Sequence, residues 1–293
     1  METVLTVGQI VAPVFLLAAI GFGWVKFGFS YDIQFVTRMS MTLAVPALIF
    51  VSLMKTSISP AALSVVTLSA LAAYAGLTVV AFAFTRLAGL EIRTYLAPMI
   101  FGNTGNLGLP LALFAYGDEG LGYAVVIFAI SAIYVFTLGV WLVSGGASPA
   151  RILREPIVLA TLAGALFLWQ GWQTPVFLTN ALELLGQMAI PLMLITLGVA
   201  VAGLHPGGLG RALWLSILRA GMTVAVAGAV GRWFGLGPVA LGVLVLQIST
   251  PVAVTSFLLA EKYGADSHAV AGLVVVSTLL SLVTIPLTLA FLL

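Results

Sequence analysis

Residues 102–110 read GNTGNLGLP and lie inside a stretch that is otherwise apolar enough to cross a membrane. Three glycines, two asparagines and a proline in nine residues disfavour a helix, because glycine and proline are the weakest helix formers. Lipid offers the backbone no water, so a broken helix is tolerated at membrane depth only where protein or a polar cavity surrounds it. The stretch therefore predicts a break in a membrane helix beside a polar site.

The composition of the whole chain fits a membrane setting. Of the 293 residues 62% are hydrophobic and 7% are charged, with a mean hydropathy of +1.22, whereas soluble domains carry about a quarter charged residues. A bilayer core of about 30 Å needs about 20 apolar residues per helix. We predict an all-α polytopic membrane protein with ten transmembrane spans, at 9–27, 33–54, 61–85, 94–116, 121–144, 156–172, 176–202, 211–234, 238–260 and 267–292.

Composition and motifs also narrow the chemistry. The chain has no cysteine, which excludes disulfides and thiolate metal sites, and we expect neither a metal nor a cofactor. Hydrolase motifs such as HExxH and GxSxG are missing from the sequence, so we do not expect an enzyme. We attribute the net charge of +2 to orientation in a membrane and not to nucleic acid.

Basic residues indicate how the spans are oriented. They concentrate in or beside the odd-numbered loops, as Lys26, Arg86, Arg93, Arg151, Arg154, Arg211 and Lys262. The even-numbered loops hold little beyond Lys55 and Arg232. Because loops rich in lysine and arginine stay in the cytoplasm, we predict a multi-pass protein of the cell inner (plasma) membrane. Both termini, Asp118 and Glu119 then lie outside, and residues 145–155 form a cytoplasmic linker.

The chain repeats itself at long range. Three pairs of positions recur 141 to 145 residues apart: Pro46 with Pro191, Pro110 with Pro251, and Tyr123 with His268. We predict two five-span halves, 1–144 and 156–293. An odd number of spans makes the halves insert in opposite senses, and such inverted repeats are common in alternating-access transporters. We interpret Pro46 and Pro191 as scaffold kinks or hinges, with ligand contact as the alternative.

Pro110 and Pro251 each follow an amide residue by four positions. A proline removes the hydrogen bond to the carbonyl four residues earlier, so Pro110 frees the carbonyl of Asn106 and Pro251 frees that of Gln247. Each half thus places an amide side chain and an unpaired carbonyl one turn before its predicted break.

The two breaks favour an anionic ligand. If spans 4 and 9 cross near the bilayer midplane, the second half-helix of each points its positive N-terminal end at the crossing. The amides of Asn103, Asn106 and Gln247 then offer donors to a carboxylate without a buried cation. Ser249 and Thr250 either add hydroxyls to this site or satisfy local carbonyls. The glycines of GNTGNLGLP alternatively serve only close helix packing.

Two ionisable residues lie well inside the predicted spans, Glu183 in span 7 and Arg219 in span 8. Charges at this depth are costly and are functional candidates. Glu183 either binds a coupling proton or reaches the external interface. Arg219 either attracts the substrate, pairs with Glu183, or extends its long stem to the lipid headgroups.

The sequence resembles the auxin efflux carrier family in three stretches, which are IFGNTGNLGLPLALFAYGDEGLGYA, IPLMLITLGVAVA and TPVAVTSFLLAEKYGADSHAVAGLVVVSTLLSLVTIPLTL. Bacterial members of that family include malate and malonate permeases, and the fold is similar to that of sodium-coupled bile acid symporters. The resemblance implies a scaffold domain from spans 1, 2, 6 and 7 and a transport domain from spans 3–5 and 8–10. It also implies a homodimer through the scaffold, and a substrate carboxylate held by Asn103 or Asn106 at the proline crossovers.

Two departures from the family pattern disfavour auxin itself as the substrate. The chain lacks the long central hydrophilic loop of many plant carriers, and it has Gln247 where a second asparagine is expected. We therefore predict a secondary transporter of a small organic anion, a mono- or dicarboxylate, that works by elevator-type alternating access. The substrate-binding residues we expect are Asn103, Asn106, Pro110, Gln247, Ser249, Thr250 and Pro251.

The coupling ion and the alternatives stay open from the sequence. Either H⁺ or Na⁺ can serve, and a sodium-coupled symporter of the bile-acid kind is the alternative mechanism. A non-transporting membrane receptor is the alternative from a different class of protein. In each case the partners we expect are a small organic anion and the lipid bilayer.

Overall fold

The computed structural model describes residues 2–144 and 156–292, so the predicted linker 145–155 lies outside the described residues. The described chain is helical. Its α-helices are α1 (Glu2–Lys26), α2 (Ile33–Met39), α3 (Val45–Lys55), α4 (Pro60–Leu87), α5 (Ile92–Ile100), α6 (Leu109–Tyr134), α7 (Val140–Ser144), α8 (Pro156–Gln170), α9 (Val176–Gln187), α10 (Ala189–Gly203), α11 (Leu209–Trp233), α12 (Pro238–Ser249), α13 (Val254–Tyr263) and α14 (Ser267–Leu292). Three π-helical segments, Ser40–Ala44, Thr104–Gly108 and Val135–Gly139, join some of them.

Seven stretches of the described residues are long and apolar enough to cross a membrane. They are Leu5–Lys26, Ile33–Lys55, Pro60–Leu87, Thr104–Val143, Val176–Gly203, Leu209–Trp233 and Ser267–Leu292. Two shorter apolar helices, α8 and α12, add to them. The predicted boundary between spans 4 and 5 falls inside α6, where Gly117 has φ 63° and ψ −154° and kinks the helix. The protein is thus a multi-pass membrane protein, and the count of ten spans stays a prediction.

Local sequence explains where several helices begin and end. The Asp32 carboxylate accepts the N–H of Phe35 (2.9 Å) at the start of α2, and the Ser59 hydroxyl accepts that of Ala62 (3.2 Å) at the start of α4. These caps satisfy N–H groups that have no partner inside the helix. Gly264 ends α13 with a φ of 71°, a left-handed conformation that glycine adopts without strain.

Pro46 and Pro191 both lie in the first turn after an interruption. Pro46 is the second residue of α3 and follows the π-helical segment Ser40–Ala44, while Pro191 is the third residue of α10, just after the step at Met188. Both prolines lie inside longer continuous helices, Ile33–Lys55 and Val176–Gly203, so each lacks the N–H that would reach the carbonyl four residues earlier. The helix irregularities lie one turn before the prolines, as such a missing bond predicts, and the role of these prolines as hinges stays a prediction.

The helices pack in two groups. The helix α1 packs along α10, and α3 packs on α8 and α9. In the other group α11 packs against α4, α12 and α14, and α12 packs against α6. The α1–α10 contact is very close, because a Cβ atom at Gly198 would meet the backbone oxygen of Ala18 and one at Gly21 would meet that of Ile195. Small residues allow such an approach in membrane proteins.

Candidate functional site at the paired helix breaks

The two broken helices meet at their breaks. After α5 ends, Phe101 is extended (φ −90°, ψ 117°), and Gly102 forms an antiparallel bridge with Val252. The N–H of Asn103 donates to the carbonyl of Pro251 at 2.8 Å, and the N–H of Ala253 donates to that of Phe101 at 3.2 Å. Each break therefore satisfies part of the other's backbone, as non-helical chain inside a membrane protein must. We call residues 101–103 and 250–253 the paired breaks.

The first break lies earlier than the sequence predicts. The non-helical residues are 101–103, whereas Pro110 is the second residue of α6 and follows the π-helical turn Thr104–Gly108. The prediction that an amide precedes its break by one turn is right for Gln247, which lies in the last turn of α12. It is wrong for Asn106, which follows its break. The helix runs on from the π-helical turn through Leu109 (φ −60°, ψ −50°) into α6, so it bends or widens locally but does not break at Pro110.

The carbonyl of Gln247 is not free. The Thr250 hydroxyl donates to it at 2.7 Å, and the Ser249 hydroxyl donates to the carbonyl of Leu246 at 3.2 Å. The prediction of an unpaired carbonyl at Gln247 is therefore wrong, and both hydroxyls satisfy local carbonyls. Pro110 still lacks the N–H that would reach the Asn106 carbonyl.

Asn103 presents an unused amide group at the paired breaks. Its side chain is 7% exposed, and its Oδ1 accepts the N–H of Asn106 at 3.3 Å, which caps the π-helical turn. Its Nδ2 is buried and has no hydrogen-bond partner among the described residues. Asn106 itself is half-buried. Buried amide groups are usually paired, so an unpaired donor here is a candidate ligand contact.

Gln247 is the second unused amide. Its side chain is fully buried, and neither its Oε1 nor its Nε2 has a partner among the described residues. The amide packs directly on Gly108 of the π-helical turn, where a Cβ atom would collide with its oxygen. The sequence prediction that amides from both halves come together is thus supported by contact between Gln247 and the turn that Asn103 caps.

The three glycines of GNTGNLGLP all lie at close approaches. A Cβ atom at Gly102 would meet the hydroxyl of Thr250, and one at Gly105 would lie 3.0 Å from the Phe128 ring and 3.3 Å from Met193. The Cβ site of Gly108 is filled by the Gln247 amide. The close-packing interpretation of these glycines is therefore confirmed, and the same close packing places the Gln247 amide against Gly108. That this place is a ligand site stays a prediction.

Arg219 lies at the same place, fully inside the protein. Its side chain is 2% exposed, its Nε donates to the carbonyl of Pro98 at 2.9 Å, and its Nη1 donates to that of Thr250 at 2.7 Å. It therefore does not reach the headgroups. It also does not pair with Glu183, whose carboxylate binds Lys55 instead.

The Lys55–Glu183 pair lines a cavity of about 700 Å³ between α3, α6 and α9. Asp118 and Glu119 line the same cavity, and its wall nearest the paired breaks includes Leu113 of α6. A helix rises 1.5 Å per residue, so Leu113 lies about 7.5 Å along the chain from Gly108. Asn103, Asn106 and Gln247 do not line this cavity.

A second cavity of about 310 Å³ lies between α5, α11 and α14, away from the paired breaks. Tyr95, Arg211, Asp266 and His268 line it, and the Arg211 guanidinium donates to the Tyr95 hydroxyl at 3.1 Å. His268 Nδ1 lies 3.4 Å from the carbonyl oxygen of His205. In the described ranges no three histidine, aspartate or glutamate residues cluster closely enough to hold a metal ion.

A family comparison matches nearly the whole chain. The model of the family described as membrane transport protein fits residues 6–149 and 145–289. The chain belongs to this membrane transport protein family. This finding confirms the resemblance to auxin efflux carriers, and it makes the protein a membrane transporter.

Relatives of this transporter carry names of the same kind. An "Uncharacterized transporter" of Methanothermobacter thermautotrophicus is 28% identical over 98% of this chain and 96% of its own. A "Putative malonate transporter" of Rhizobium meliloti is 26% identical over 63% of this chain and 62% of its own. An uncharacterized transporter of Methanocaldococcus jannaschii is 25% identical over 64% of each chain.

Sequence reasoning missed two groups at this transporter's paired breaks. The carbonyl of Pro98 accepts a hydrogen bond from Nε of Arg219. The Ser277 hydroxyl accepts one from the N–H of Val252 at 3.0 Å. Pro98 had a weak local signal, since it lies four residues before Gly102, the first glycine of GNTGNLGLP. Ser277 had none, because its partner is 25 residues away in the chain.

Proposed function

We propose that this member of the membrane transport protein family is a secondary transporter of a small organic anion, a mono- or dicarboxylate, that binds at the paired breaks. The observation that carries this proposal is the Asn103 amide, whose Nδ2 is buried beside the first turn after the break and has no hydrogen-bond partner in residues 2–144 and 156–292. A carboxylate is the complementary group, because it only accepts hydrogen bonds.

The helix directions add to this preference. The π-helical turn Thr104–Gly108 with α6 and the helix α13 both begin at the paired breaks. Their N-terminal N–H groups and partial positive charge favour an anion. The C-terminal ends of α5 and α12 arrive at the same place, but Arg219 covers their carbonyls. The field that remains for a ligand is therefore positive.

The transport cycle we propose is elevator-type alternating access in an inverted repeat of two five-span halves. The two stretches of the family match divide the chain close to residue 145, in keeping with that repeat. A scaffold containing α1, α3, α8, α9 and α10 would stay fixed while the helices that carry the paired breaks move. The homodimer, the plasma membrane location and the external termini are parts of the same proposal.

The name of the Rhizobium meliloti relative makes malonate the first dicarboxylate to test on this chain. The cavity of about 700 Å³ is a candidate entrance, because it is lined by Leu113 of α6, the helix that continues from the π-helical turn, and by the charged residues Asp118 and Glu119. Its Lys55 offers one cation to an arriving anion, although Glu183 occupies it here.

The test is a thermal-shift titration of the purified protein with malonate, malate and a monocarboxylate, in Na⁺ and in choline and at two pH values. A ligand that binds the folded state at 100 times its Kd stabilises it by about 2.7 kcal/mol. We expect at least one carboxylate to raise the Tm of the wild type and to lose that effect in Asn103→Ala. A Tm that no carboxylate moves, or an equal shift in Asn103→Ala, would overturn the proposed site.

A further inference from the structure

The guanidinium of Arg219 joins the C-terminal ends of two half-helices that come from different halves of the chain. Pro98 lies in the last turn of α5 and Thr250 is the C-cap of α12. Their carbonyls accept from Nε at 2.9 Å and from Nη1 at 2.7 Å. These are the carbonyls that a helix leaves without an internal donor at its end.

The partial negative charges of two helix C-termini balance the positive charge of Arg219 without an acidic residue. A helix C-terminus carries a partial charge of about −0.5, so two of them come to about −1 and match one guanidinium. In the described parts of the chain no acidic side chain lies within 4 Å of Arg219, since the ion pair found there is Lys55–Glu183. A buried arginine is expensive unless such partners compensate it.

Glycine at position 102 makes room for this arrangement. A Cβ atom there would lie 3.1 Å from the Arg219 Nη2 atom and would collide with the Thr250 hydroxyl. The Nη2 atom itself is buried and has no hydrogen-bond partner among the described residues. The Nε and Nη1 atoms thus fix the guanidinium by hydrogen bonds. Its Nη2 atom packs against Gly102 of the first break.

The equivalent position in the first half is not basic. At the spacing of 145 residues that relates Pro46 to Pro191, Arg219 corresponds to Tyr74. The register is supported by Thr78 and Thr223, which each donate to the carbonyl four residues earlier, at 2.7 Å to Tyr74 and at 2.8 Å to Arg219. The repeat therefore places one cation, and not two, at the paired breaks.

We propose that Arg219 is a resident cation that holds the paired breaks together and takes the place of a coupling Na⁺ at the carbonyls of Pro98 and Thr250. It is a positioning residue, because it binds the carbonyl of Pro98 at the end of the helix that leads into the first break and the carbonyl of Thr250 in the second break. Carbonyl and hydroxyl oxygens at such breaks are the ligands that a hard cation prefers, but here the guanidinium already occupies the carbonyls. Uptake of the substrate is then independent of Na⁺.

The first arm of the test measures stability and needs no substrate. Arg219→Ala should lower the Tm by at least about 5 °C, since removing one partner of a buried charged group is strongly destabilising. Millimolar guanidinium chloride should restore part of that loss, while equal NaCl should not. Arg211→Ala is the matched control, because Arg211 is exposed on the same helix and donates to the Tyr95 hydroxyl instead of to the carbonyls at the breaks. It should lower the Tm by less than Arg219→Ala does and show no guanidinium effect.

Arg219→Lys serves if the alanine variant does not fold. Lysine keeps the positive charge but lacks the planar guanidinium whose separate nitrogens donate to two carbonyls. We therefore expect its Tm to lie between those of the wild type and Arg219→Ala. A wild-type Tm in either variant, or a guanidinium effect as large in the wild type as in Arg219→Ala, would overturn the proposal.

The second arm rests on the proposed function and measures carboxylate uptake by wild-type proteoliposomes in Na⁺ and in choline. Equal rates are expected, and uptake that requires Na⁺ would overturn the Na⁺ part of the proposal. If no carboxylate is transported in either medium, the proposed function fails, while the stability arm still decides whether Arg219 holds the breaks together.

Discussion

The backbone N–H of Asn103 donates to the carbonyl of Pro251 across 2.8 Å, and this bond ties the first helix break to the second. The two residues lie 148 positions apart in the sequence and belong to different halves of the chain. The bond leaves the Asn103 side chain at the start of the π-helical turn, where its Nδ2 has no hydrogen-bond partner within the described part of the chain. The structural role of Asn103 is thus carried by its backbone and Oδ1, and we propose its Nδ2 as the group that binds the ligand.

Asn103→Ala is therefore expected to weaken carboxylate binding more than it weakens the fold. A hydrogen bond to a charged group contributes about 1.5–3 kcal/mol, which corresponds to about a 10- to 100-fold rise in Kd. Isothermal titration of the purified variant with the best carboxylate measures this change. Gln170→Ala, an exposed amide at the end of α8, is the control. An unchanged Kd in Asn103→Ala would remove this residue from the site.

Gly108→Ala tests the contact between the two halves. A methyl group there must displace the Gln247 amide, and overpacking of this kind costs about 1–3 kcal/mol. Because Gln247→Ala removes the colliding atoms, the double variant should be less destabilised than the sum of the single ones. Thermal unfolding of the four proteins gives the coupling.

Gly221→Ala is the matched control for this cycle, since nothing lies within 4 Å of its Cβ position on α11. That substitution should be neutral or stabilising by up to about 1 kcal/mol. Strict additivity between Gly108→Ala and Gln247→Ala would contradict the contact described here.

Much of this site could be predicted from the sequence, and the rest depended on contacts that are distant in the chain. Glycine, asparagine and proline indicated the first break and Pro251 indicated the second, because their backbone preferences are local. The first break was placed too late because the helix that starts after Asn103 continues through a π-helical turn past Pro110, and a π-helical turn can accommodate a proline without ending the helix. The partners of Arg219 lie 121 and 31 residues away, and no local pattern indicates them.

Gly198→Ala should disrupt the packing of α1 on α10. Its Cβ position overlaps the backbone oxygen of Ala18, and a backbone atom cannot move aside as a side chain can. We expect a loss of about 1–3 kcal/mol, measured as a lower Tm and a lower yield of monodisperse protein in detergent. The control is Gly203→Ala in the same helix, where the added methyl group meets nothing within 4 Å. Equal behaviour of the two variants would argue against the close α1–α10 contact.

Glu183→Gln should change stability little, although it breaks the pair with Lys55. The two side chains are 33% and 51% exposed, and exposed ion pairs contribute about 0–1 kcal/mol and are screened by salt. The thermal unfolding of the variant at low and high salt checks this. We also expect the pH profile of uptake to keep its shape, because Glu183 contacts Lys55 at the cavity of about 700 Å³, which neither Asn103 nor Gln247 lines. A lost pH dependence in Glu183→Gln would instead make this residue the proton-coupling group.

We propose that the paired breaks bind a carboxylate during transport. Counterflow of labelled malonate into proteoliposomes loaded with unlabelled malonate measures binding and translocation together. We predict exchange by the wild type, a rate for Asn103→Ala at least about 10-fold lower at subsaturating malonate, and a wild-type rate for Gln170→Ala. Equal malonate exchange by the wild type and Asn103→Ala would contradict substrate binding by Asn103 at the paired breaks. A wild type that exchanges neither malonate, malate nor a monocarboxylate would contradict carboxylate transport itself.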